Sequence, residues 1–83
     1  MSGTPAHRPN AKKDLTGIGC PMNMVYAKVE LAGLQEGQLL ELVLDEGLPV
    51  ENVSRSVERE GHTLLEKKQL PNRCWSLLIR KRT

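Results

Sequence analysis

Aromatic side chains are almost missing from this chain, with one Trp, one Tyr and no Phe in 83 residues. Any core is therefore aliphatic, and the stacking platforms that grip unpaired bases lack their raw material. Cysteine is scarce too. Cys20 and Cys74 stand 54 positions apart and do not make the disulfide framework of small secreted domains, so a reducing compartment is expected. No charge of one sign dominates. Twelve Lys and Arg against ten Asp and Glu leave +2, too little to imply nucleic acid or an anionic membrane surface. Charges interrupt every apolar stretch before it reaches the roughly 18 residues that a spanning helix needs, and Met1–Lys13 holds no apolar run of the kind a signal peptide uses. The expectation is a cytoplasmic chain with no membrane partner, no direct nucleic-acid partner and no resident cofactor. Its length suits one domain and leaves no room for a cofactor domain beside a substrate domain.

What is present is enough to fold. Leu, Val and Ile make up about a quarter of the residues, above the level at which chains tend to stay disordered. Residues 1–11 have little to bury and are expected to form a flexible tail, leaving residues 12–83 as a single domain. Lys12–Ile18 supplies a short strand. Leu39–Asp45 places Leu40, Leu42 and Leu44 on one face, the alternation of a half-buried strand. Arg73–Arg80 repeats the pattern with Trp75, Leu77 and Ile79, and His62–Leu70 joins it through the turn-forming Pro71-Asn72. Between the strands, Pro21 to about Leu34 reads as a helix. Its inward stripe is Met22, Val25, Val29 and Ala32, widened by Met24, Ala27 and Leu31. A second helix starts near Pro49, turns Val50, Val53 and Val57 inward and Glu51, Arg55, Glu58 and Arg59 outward, and stops at Gly61. The expected fold is α+β, a two-layer sandwich in βαβαββ order with two helices on one face of a four-stranded mixed sheet.

Chemistry concentrates at Gly17-Ile-Gly-Cys-Pro-Met-Asn23, between the first strand and the first helix. Pro21 suits the first helical position, and a residue preceding proline is pushed out of the helical region, which places Cys20 at the N-cap. There its sulfur would face the amides of Met22 and Asn23 at the positive end of the helix dipole. Such an end favours an anion by roughly 0.3 to 2 kcal/mol, which raises the thiolate share of a cysteine with an ordinary pKa of about 8.5. Gly17 and Gly19 add little bulk beside it, so another protein's sulfur can approach. A lone cysteine in a small domain also serves as a packing residue. No second Cys lies two positions on, so a thioredoxin-type dithiol is absent. No pair among Cys20, Cys74, His7 and His62 has the spacing of a zinc motif, and no metal is expected.

Asp14-Leu-Thr-Gly-Ile-Gly-Cys-Pro-Met-Asn23 resembles the signature of the TusA/SirA-like (YedF-like) sulfur carriers, in which Asp-x-x-Gly-x-x-Cys-Pro-x-Pro opens the first helix. Asp14, Gly17, Cys20 and Pro21 match. The likeness continues through Glu36–Leu42, Asp45, the Pro49 helix start, Glu60-Gly61-His62 and Ile79-Arg80-Lys81. The resemblance implies a fold similar to the C-terminal domain of initiation factor three. It also implies a persulfide on Cys20, loaded by a cysteine desulfurase or rhodanese and yielded to a tRNA-thiolation or other sulfur-acceptor protein. Gly19, Pro21, Met22 and Asn23 would support that cysteine. Asn23 departs from the pattern, which has a second proline there. An Asn in the first helical turn can donate a hydrogen bond to the Cys20 sulfur or cap the backbone locally. His62, Cys74 and the basic end at Arg73 and Arg80–Arg82 read as a solvated strand start, a packing or outer-face residue, and a solvated strand terminus. Two rival readings remain: an interaction module in which Cys20 is incidental, and a nucleic-acid binder suggested by fold analogy alone.

Overall fold

The computed structural model describes residues 9–19 and 21–82. The elements run β1 (Ala11–Asp14), α1 (Met22–Ala32), β2 (Leu39–Asp45), α2 (Leu48–Arg59), β3 (Thr63–Leu70) and β4 (Cys74–Arg80). This is the expected order. The sheet is mixed, in the order β1-β2-β4-β3, with β1 parallel to β2 and the other pairs antiparallel.

Alternation builds the core. Leu40, Leu42 and Leu44 of β2 stand opposite Ile79, Leu77 and Trp75 of β4, and all but the partly buried Trp75 are completely shielded. Ala27 and Leu31 of α1, Val50, Val53 and Val57 of α2, and Leu15 from the turn after β1 close over that face. Each fully buried Leu or Ile contributes roughly 1.5–3 kcal/mol relative to its exposed state, so this single cluster dominates the fold. β1 and β3 are the edge strands, and β3 is the longer and more exposed of the two. On β3 the edge is guarded. It carries Lys67 and Lys68 and a register shift between Leu64 and Glu66, two devices that discourage pairing with another chain. Lys67 also lies over the Trp75 ring at 5.7 Å.

Three details differ from expectation. The ordered sheet starts before residue 12. Asn10 donates its N–H to the Leu39 carbonyl at 2.8 Å and accepts the Leu39 N–H on Oδ1 at 2.8 Å, and Ala11 pairs with Leu40. Residues 1–8 of the expected tail lie outside the described residues. Secondly, α1 is rotated from its expected phase. Its buried line is Asn23, Ala27 and Leu31, whereas Met22, Val25 and Val29 are 46%, 45% and 61% exposed. Apolar residues surround this helix, so spacing alone left its orientation open; the small Ala27 lets α1 sit close to its neighbours and Leu31 fills the core. Thirdly, the basic end of β4 is not simply solvated. Lys81 Nζ donates to the Leu31 carbonyl at 2.6 Å and Arg82 Nη1 to the Glu60 carbonyl at 2.9 Å, so two adjacent cations close the negative C-terminal ends of both helices.

Candidate functional site

The segment leading into α1 is fastened at successive points. After β1, Asp14 Oδ1 accepts the Thr16 N–H at 2.9 Å and the Thr16 hydroxyl at 2.6 Å, an aspartate turn of a common kind. The Thr16 hydroxyl, followed by the Thr16 N–H, holds the Asp14 carboxyl below its ordinary pKa. Leu15 donates to the Val43 carbonyl at 2.8 Å and drops its side chain into the core. Gly17 then adopts φ +80°, a conformation other residues reach only with strain, and its N–H is taken by Asp45 Oδ2 at 2.8 Å. The Asp-x-x-Gly spacing thus has a physical basis. Asp14 turns the chain, and Gly17 turns it again against the end of β2. A Cβ at Gly19 would meet nothing within 4 Å, so the backbone there is open to close approach.

Cys20 itself lies outside the described residues. Its neighbours define how the helix starts. Pro21, with φ −95° and ψ 3°, occupies the cap position expected of Cys20, so the helix starts one residue later than expected. Its carbonyl accepts the N–H groups of Met24 at 3.1 Å and Val25 at 3.2 Å. The Asn23 N–H is not free, contrary to expectation: it donates to the Gly19 carbonyl at 3.1 Å. The Met22 N–H finds no backbone acceptor among the described residues. The first turn of α1 contains no acidic residue and no side-chain cap, so the positive end of its dipole is not neutralised from within the helix. Met22 and Pro21 are exposed; Asn23 is wholly buried, and neither Nδ2 nor Oδ1 has a partner among the described residues.

The remaining candidates lie elsewhere. His62 Nδ1 accepts the Arg82 N–H at 3.1 Å, beside the C-terminal ends of both helices, whereas Pro21 starts α1 about 16 Å away along a helix rising 1.5 Å per residue. Burial, then the Arg82 and Lys81 charges, hold its pKa below the usual 6.5. Cys74 is partly buried at the start of β4, with Sγ 3.4 Å from the Asn72 carbonyl. No metal-holding group of His, Cys, Asp or Glu is found among the described residues, and no described helix is long and apolar enough to cross a membrane. Sequence reasoning missed Asp45 as the anchor of Gly17 and missed the burial of Asn23. The second left a signal in the i, i+4, i+8 series Asn23, Ala27, Leu31.

Comparison with known proteins accords with this architecture. A solved SirA-like protein from Desulfitobacterium hafniense superposes with a TM-score of 0.77 at 23% identity, covering 88% of this chain and 99% of that one; at that identity the likeness concerns the fold. The "Putative sulfur carrier protein" of Archaeoglobus fulgidus is 34% identical over 73 residues, 88% of this chain and 83% of its own length. A protein of the same description from Methanocaldococcus jannaschii is 34% identical over 70 residues, 84% of this chain and 92% of its own. The family described as Sulfurtransferase TusA matches residues 11–81, a span that contains every described element, and the chain belongs to that family.

Proposed function

We propose that the protein relays sulfane sulfur as a persulfide on Cys20, in the cytoplasm, between a cysteine desulfurase or rhodanese and a sulfur-acceptor protein such as one serving tRNA thiolation. The observation that supports this most is the start of α1. A segment tied to β2 through Gly17 and Asp45 leads toward a helix, begun at Met22, whose first turn holds no carboxylate, and such an end favours a sulfur anion over a thiol. The Cys20 thiolate attacks the outer sulfur of a donor persulfide R–S–SH. One S–S bond forms on Cys20, the donor's S–S bond breaks, and R–S⁻ leaves. An acceptor thiolate repeats the exchange and regenerates the Cys20 thiolate, so no external oxidant or reductant is consumed. Nothing else is needed of a carrier.

Incubation with a cysteine desulfurase and free cysteine, without reductant, tests this by mass spectrometry. The wild-type chain gains the mass of one sulfur atom at Cys20, and Cys20→Ser folds and gains none. Equal loading of the variant overturns the reading.

A second reading draws on the outer face of α1, where Met22, Val25, Tyr26 and Val29 lie exposed at helical spacing. That stripe suits a protein-interaction module in which Cys20 is incidental. The two readings part on thiol reactivity. A relay cysteine is alkylated faster than a model thiol at pH 7, and an incidental buried one more slowly.

A further inference from the structure

We propose that Asn23 is a positioning residue for the Cys20 sulfur, with its Nδ2–H donating to the anionic form and its Oδ1 accepting from the S–H of the protonated form. The proposal rests on the reading of Cys20 as the working sulfur. Asn23 has no exposed surface, and both polar atoms of its side chain lack a partner among the described residues. A buried amide with neither atom satisfied costs stability, and native proteins keep such a group only for a reason. Along the buried line of α1 its companions are Ala27 and Leu31, which offer it nothing polar.

The direction of the side chain narrows the choice. Helical Cα–Cβ bonds tilt toward the N-terminus, so a residue covers the turn preceding its own Cα. For Asn23 that turn is closed by its own N–H on the Gly19 carbonyl at 3.1 Å, and it comprises residues 19–22. Gly19 and Pro21 have no polar side-chain atom. Met22 has a thioether, a weak acceptor on a side chain that is half exposed. Cys20 has a sulfur that becomes an anion, the strongest acceptor of the four. An Asn can serve both protonation states of that sulfur by presenting its nitrogen to one and its oxygen to the other. A proline at this position, as in the family's usual pattern, has no side-chain donor and serves neither state.

The test follows the ionisation of Cys20 without any sulfur donor. In a Cys74→Ser background, the rate of alkylation is measured against pH for Asn23 and for Asn23→Leu, which keeps the volume and removes the amide. The expected result is an upward displacement of the midpoint by about one pH unit, equivalent to a roughly tenfold smaller thiolate-to-thiol ratio at a given pH. An unchanged midpoint overturns the proposal. Should Asn23→Leu fail to fold, the Asn23 side-chain NH₂ resonances of the otherwise unmodified chain report instead. They shift with the same midpoint as the Cys20 thiol, and resonances indifferent to that titration overturn the proposal. Sulfur loading is scored separately. Normal loading with an indifferent Asn23 removes only the positioning role, and an Asn23-dependent midpoint without loading removes only the relay.

Discussion

The two helices are nearly equal in length and cover the same face of the sheet, yet they are finished differently. α2 has Pro49 and Glu51 in its first turn and Arg59 in its last, and its end is a complete Schellman motif: Gly61 at φ +94° donates to the Glu58 carbonyl and His62 to the Val57 carbonyl, both at 3.0 Å. Its polar and apolar faces separate cleanly. α1 has no acidic residue in its first turn, no basic residue in its last, a buried Asn, and apolar side chains on its outer face. Its C-terminal end is closed by a residue 50 positions away, Lys81. α2 carries its own stop signal, to which the distant Arg82 adds one bond to the Glu60 carbonyl, whereas α1 relies on its surroundings and has no carboxylate in its first turn. That is the end that follows Cys20 in the sequence, and the contrast is the one expected between a helix that carries structure and one that serves the proposed site.

The largest effect that can break this comparison concerns the phase of α1. Leu31→Ala removes a core side chain and is expected to lower unfolding stability by about 2–5 kcal/mol, whereas Val29→Ala, on the exposed face, stays within about 0.5 kcal/mol. Urea denaturation of the two variants decides it; equal losses would mean that the helix sits in the phase its apolar spacing suggests. Next comes Gly61→Ala, which forces a Cβ onto a left-handed residue and should cost about 1–2 kcal/mol in the same assay. If that loss is absent, the Schellman end is not what stops α2.

Smaller still is a pH effect at the junction of the two helices. His62 accepts the Arg82 N–H only when neutral, and burial lowers its pKa below 6.5. The unfolded chain therefore takes up the proton first, so His62 contributes stability that is complete above about pH 6.5 and lost as the pH falls through its folded pKa. Thermal melts from pH 7.5 to 5 should show this decline in the wild type and a weaker one in His62→Gln. Parallel declines would show that His62 stays as solvated as its sequence context alone suggests.

The same contrast explains what was legible. β2, β4 and α2 were readable because Leu40, Leu42 and Leu44, then Leu77 and Ile79, then Val50, Val53 and Val57 each repeat at one period with polar residues between. Gly61 was readable because one residue type dominates left-handed helix ends. α1 offered two apolar series at once, Met22-Val25-Val29 and Ala27-Leu31, and only tertiary packing selects between them. At the site, Asp14 and Gly17 were visible as a spacing. Asp45, 28 positions from the Gly17 it holds, and Lys81, which closes α1, act through contacts that no local pattern encodes.

The smallest prediction sets stability and chemistry against each other at one residue. Met22 begins α1 and is half exposed, so Met22→Glu gives α1 the first-turn carboxylate that α2 already has in Glu51. A charge there interacts favourably with the helix dipole, and the variant should gain about 0.3–1 kcal/mol toward unfolding at low salt. The same carboxylate competes for the positive end that a Cys20 thiolate would use, and it adds a like charge beside that anion, which raises the thiol's pKa. Alkylation of Cys20 at pH 7, measured in a Cys74→Ser background, should therefore slow while the denaturation midpoint rises, and added salt should shrink both changes together. Opposite signs from one substitution are hard to obtain by general damage to the fold. A stabilised variant with unaltered thiol reactivity would show that the electrostatics of α1 do not reach the sulfur, and the bare first turn would then be an accident of composition.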